Sequence, residues 1–98
     1  MDEFANWMIR AAFADQLAQT RSQLRTALID DVVTDVVIDE WIDHRVQTVA
    51  TMAIRSLSRD LSATLMIKGI AVADPTSSEG RARLAPYLAD LGVRFQRE

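Results

Sequence analysis

Residues 36–67 read VVIDEWIDHRVQTVATMAIRSLSRDLSATLMI. The run contains neither Gly nor Pro, and its apolar residues recur every three or four positions. Ile42, Val46, Val49, Ala53, Leu57, Leu61 and Leu65 therefore share one side of an α-helix. Ala50 and Ile54 widen that stripe. His44, Thr48, Thr51, Arg55, Ser58 and Ser62 form a polar row at the same spacing. Trp41, Ile38 and Met52 lie off the main stripe, so more than one side is apolar. Such a helix is sandwiched between neighbours, in its own chain or in a second copy. Gly69 supplies the left-handed residue that ends helices, and Lys68 suits the negative end of the dipole. One helix is expected over residues 35–68.

Upstream, a first helix is expected over residues 3–29. Ile9, Phe13, Leu17, Leu24 and Leu28 form its stripe, with Phe4, Met8, Ala11 and Ala18 beside it. Asp2 and Glu3 suit its positive end. Ala11 to Ala14 is Ala-rich, which favours helix. Residues 30–38 are β-branched at Val32, Val33, Thr34, Val36, Val37 and Ile38, which weakens helix preference. A lone strand would lack a partner, so a corner near Asp30 or Asp31 is expected, with either Asp or Thr34 as cap.

Downstream, Asp74-Pro75-Thr76-Ser77-Ser78-Glu79-Gly80 is a cluster of turn formers, and residues 69–82 read as a loop. A short helix is expected over 83–91, with Pro86 in its first turn and Leu84, Leu88 and Leu91 inward. Gly92 is read as its stop and residues 92–98 as a tail. The expected fold is all-α: one domain over residues 1–98, a small helical bundle of two long antiparallel helices plus a short C-terminal helix, completed by dimerisation. Dimerisation is expected because small helical layers bury little surface.

Composition narrows the function. The chain has 98 residues, is 49% hydrophobic and has no Cys, which excludes a disulfide framework and thiolate metal sites. No window approaches the roughly 18 apolar residues of a membrane span. The acidic start lacks the basic region of a secretory signal, and a cytoplasmic location is expected. The net charge of −3 is uneven. Residues 1–49 carry nine acids against four Arg, and residues 50–98 carry seven bases against five acids. Halves of opposite sign attract within a fold or between copies.

Asp31, Asp35, Asp39 and Asp43 recur four apart, with Glu40 adjacent. Like charges at that spacing destabilise a helix by about 0.2–0.5 kcal/mol per pair. They are read either as an acidic surface for a basic or nucleic-acid-binding partner, or as helix-start acids paired with Arg10, Arg21, Arg25, Arg81 or Arg83. An EF-hand calcium pattern is absent. His44, the one histidine, has Glu40 a turn away but no motif of catalysis or zinc binding around it. The serines lack a nucleophile elbow, and Gly69, Gly80 and Gly92 are too far apart for phosphate loops.

The chain is therefore read as a non-enzymatic protein–protein interaction module without cofactor or metal. A phage or mobile-element protein that binds and inhibits or adapts a host protein is the sharper expectation. The partner-binding residues would be Asp31, Asp35, Asp39, Glu40 and Asp43. Trp41, Ile42, Val46, Val49, Ala53, Leu57 and Leu61 would serve packing and a homodimer. The alternative is a DNA-binding regulator that contacts phosphates through Arg81, Arg83, Arg94 and Arg97, against which the acidic balance weighs. Trp7, Trp41 and Tyr87 are candidate interface anchors.

Overall fold

The structure is a computed structural model that describes residues 2–27 and 35–97. The described residues are all helical, without strands: α1 (Glu3–Ala12), α2 (Ala14–Ala27), α3 (Asp35–Lys68) and α4 (Ser78–Arg97). The corner expected near Asp30 or Asp31, and Thr34 as its cap, lie outside the described residues.

α3 is the long helix that its periodicity predicts. Its 34 residues span about 51 Å at 1.5 Å per residue. That equals the longest dimension of the molecule, 51 Å. Ile38, Ile42, Val46, Ala50, Leu57 and Leu61 are its buried side. Gly69 ends it at φ +67°. There the Ile70 N–H reaches back to the Leu65 carbonyl and the Gly69 N–H to the Met66 carbonyl. This paired closure is the Schellman arrangement, and it requires the left-handed residue that Gly supplies cheaply.

The helix expected over 3–29 is broken at Phe13, which sits at φ −115°, ψ 27°. Local propensity is high on both sides of the break, so packing decides it. Phe13 is buried and its ring lies 6.4 Å from that of Phe95. α1 buries Met8, Ile9 and Ala12 against both α3 and α4. α2 buries no residue fully and rests mainly on α3 beyond the bend, with Leu17 and Leu24 half-buried.

The C-terminal helix is longer than the short one expected at 83–91, and both the loop 69–82 and the tail 92–98 need correction. α4 has 20 residues and starts at Ser78. Ser77 caps it: its Oγ accepts from the Gly80 N–H at 3.0 Å and donates to the Asp74 carbonyl at 2.8 Å. Asp74 closes the preceding turn by accepting from the Thr76 N–H and hydroxyl. Pro86 consequently lies in the helix interior rather than in the first turn. Pro86 and Ala82 are exposed, so water can reach the Ala82 carbonyl that the missing N–H leaves free. Gly92 does not stop α4. A Cβ there would stand 1.7 Å from the Ala12 carbonyl oxygen, so the glycine lets α1 and α4 touch backbone to backbone.

These contacts fix the topology. Glu3 meets Arg81 and Ala12 meets Gly92, so α1 and α4 run parallel. Arg10, Arg21 and Arg25 meet Asp43, Asp39 and Asp35 in that order, so α1 and α2 run antiparallel to α3. Leu84, Leu88 and Leu91 close the core from α4. No helix among the described residues is long and apolar enough to cross a membrane.

Candidate functional site

The acidic row of α3 faces the first two helices. Asp43 pairs with Arg10, Asp39 with Arg21 and Asp35 with Arg25, the last at 2.7 Å. One residue per turn of acid on α3 thus matches a ladder of Arg on the chain running the other way. The like-charge cost of the acids along their own helix is offset by these cations. All three pairs are solvent-exposed, where each contributes roughly 0–1 kcal/mol. Glu40 is exposed, and Asp31 lies outside the described residues.

The basic residues divide. Arg81 forks onto Glu3 and lies over the rings of Phe4 and Trp7, at 5.6 and 5.3 Å. The Arg81 fork holds the Glu3 carboxylate below its usual range, and the carboxylate in turn raises Arg81. Phe4 and Trp7 are themselves stacked, with centroids 5.6 Å apart. This cluster fastens the start of α1 to the start of α4. Arg83 donates to the Ala71 carbonyl and holds the loop before α4. Arg94 is exposed on α4, and Arg97 lies in its last turn. Arg81 and Arg83 thus hold the protein's own groups.

The apolar stripe of α3 is largely used inside the chain. Ile42, Val46, Leu57 and Leu61 are buried, and Val49 and Ala53 are half-buried. Trp41 is different. It is 53% exposed, beside an open hollow of about 660 Å³ that His44, Arg45, Thr48, Thr20 and Leu24 also line. A second hollow continues past Arg45 and Thr48 to Met52, with Phe13 and Phe95 on its far wall. Among the described residues no three His, Asp or Glu side chains converge as metal ligands.

Four large apolar side chains share this outer side. Val37, Trp41, Met52 and Met66 are 37%, 53%, 81% and 80% exposed. Their spacings of four, eleven and fourteen residues are each close to whole helical turns, so they form one row. Between them the Thr48 and Thr51 hydroxyls donate to the carbonyls of His44 and Gln47, one turn back. Hydroxyls satisfied in this way need no outside partner. Exposed Arg45, Arg55 and Arg59 lie along or beside the same side, so the apolar row is interrupted by charge. Sequence reading singled out Trp41 and Met52 but passed over Val37 and Met66. Their spacing was the available signal, masked by the stronger stripe of the core.

Compared with protein-family models, curated proteins and solved structures, the chain matches none.

Proposed function

We propose that this all-α protein works by binding, as a non-catalytic interaction module whose contact surface is the outer side of α3. The observation that carries this reading is the row Val37, Trp41, Met52 and Met66, left in solvent while thirteen other apolar residues among the described ones are buried. Exposed apolar rows rimmed by polar side chains mark interaction surfaces, and Trp concentrates binding energy in them. The acidic surface contributes chiefly through Glu40, because Asp35, Asp39 and Asp43 already hold Arg residues of the same chain. Within this class, a phage or mobile-element protein that blocks or adapts a host protein is the narrower proposal, supported by the chain's acidity.

The test uses the full chain as bait against an extract of its source cell. Trp41→Asp with Met52→Asp is the variant that should lose the bound protein. The Asp35→Asn, Asp39→Asn, Asp43→Asn variant should keep it. Retention that the Trp41 and Met52 changes leave untouched would overturn the reading, as would no retention of any chain, its own copies included.

A further inference from the structure

We infer that the groove beside Trp41 and Met52, at the edge of this surface, takes an acidic amphipathic helix of another protein. This rests on the interaction reading above and adds the partner's chemistry. The two hollows described above form one groove, because Arg45 and Thr48 line both. From Trp41 to Ser56 it runs about 22 Å along α3, the length of a helix of about four turns. It has two walls. α3 supplies Trp41 and Met52, 53% and 81% exposed, and Leu24, Phe13 and Phe95 stand opposite. Trp41 and Met52 lie eleven residues apart, close to three turns. A helix laid along the groove therefore meets an apolar patch near each end.

Charge selects the occupant. No Asp or Glu lines either hollow, in a chain whose 14 acids outnumber its 11 Lys and Arg. Arg45 stands where the hollows join, and Arg55 and Arg59 are exposed on the same side of α3 beyond Met52. Among the described residues neither Arg45 nor Arg55 has an ion pair, and Arg59 has only its neighbour Asp60, at 3.6 Å. Glu40 points about 140° around the helix from Arg45, away from the groove. A helix that brings carboxylates to Arg45, Arg55 and Arg59 supplies the counter-charge this side lacks. The Thr48 hydroxyl borders both hollows, already donates to the His44 carbonyl and can be covered without being stranded.

Other occupants fit less well. The acidic row of a second copy already holds Arg10, Arg21 and Arg25. A bilayer surface is flat and would rest on the outer row without filling hollows of about 660 and 420 Å³.

The probe is a synthetic helical peptide of about 15 residues, with Leu along one side, Glu on both flanks and a neutral dye. Its control carries Lys in place of Glu. Fluorescence anisotropy should show the Glu peptide binding the full chain at about 10–100 μM, at least tenfold more tightly than the Lys peptide. Arg45→Gln should weaken the Glu peptide about fivefold and leave the Lys peptide unchanged. Arg45→Glu should reverse the preference between the two, and Trp41→Asp should weaken both. The reversal compares two peptides on one protein, so misfolding, which loses both, cannot imitate it. Equal affinity for the two peptides overturns the inference, as does a Glu preference that both Arg45 changes leave intact. No binding of the Glu peptide at about 1 mM overturns it too. If vesicles of phosphatidylcholine and phosphatidylglycerol then retain the chain through Trp41, the occupant is anionic lipid. A cell protein still held through Trp41 and Met52 while the Glu peptide fails refutes the acidic helix alone. No retention of any protein refutes the interaction reading with it.

Discussion

Gly92 and Ala12 show how much one missing carbon can decide. The Ala12 carbonyl occupies the place of a side chain at Gly92, and a backbone atom cannot swing aside. Gly92→Ala gains about 1 kcal/mol of helix propensity. It costs roughly 1–3 kcal/mol or more by forcing α1 from α4. A fall in Tm of about 5–10 °C is expected. A Tm equal to or above wild type would mean that Gly92 is an ordinary helical glycine. Glu3 makes a second prediction at this scale. Its folded pKa is depressed, first by the hydrogen bond from Arg81. The pair's contribution is therefore complete above the ordinary glutamate range and lost as pH falls through the folded value. Arg81→Met keeps an apolar cover for Phe4 and Trp7 but removes the fork. The stability difference between wild type and this variant, from urea melts at a series of pH values, should be largest near neutrality and shrink in acid. A difference that stays constant through that range would mean the carboxylate plays no part.

α2 differs from the other helices in what holds it. It has no fully buried side chain, and it touches α3 through two half-buried leucines and the pairs Arg21–Asp39 and Arg25–Asp35. Arg21→Gln with Arg25→Gln should reduce its local opening free energy by about 1 kcal/mol, so that amides of residues 14–27 exchange about fivefold faster. Amides of α1 and α4 should not change. Equal acceleration everywhere, or none, would contradict a helix attached by its charges. What could be read in advance follows from the same physics. α3 was legible because its repeat of three and four is long and its stop is a Gly-specific geometry. The acidic ladder and its Arg partners were legible as residues, but not their pairing, which needs α2 to run back along α3. The break at Phe13 was hidden, since Ala11 to Ala14 favours helix and only the distant Phe95 and α4 select the bend. Pro86 misplaced the start of α4, because a helix-interior Pro is tolerated where its turn faces water. Gly92 looked like a stop for want of knowledge that Ala12 would press against it. The row on the outer side of α3 was present in the spacing, yet only burial of the other stripe shows it to be left over.

At the scale of the molecule, α1, α3 and α4 each pack on the other two, while α2 rests mainly on α3. The chain's core therefore needs the C-terminal helix, although α1, α2 and α3 precede it in sequence. Leu84, Leu88 and Leu91 are 1%, 0% and 3% exposed. Fully burying each contributes about 1.5–3 kcal/mol. Their joint loss approaches the roughly 5–15 kcal/mol by which whole domains are stable. Removing α4 also uncovers the sides of Ile9 and Ala12 that it packs on, and deprives Trp7 of the Arg81 guanidinium. A chain cut after Lys68 is thus expected to lose fixed packing while keeping much of its helix, since the α3 periodicity is intact. Its far-ultraviolet circular dichroism should remain helical. Its near-ultraviolet signal from Trp7 should collapse, and urea unfolding should lose its cooperative step. A truncated chain that melts cooperatively with an ordered Trp7 would show that α1 and α3 suffice for a core.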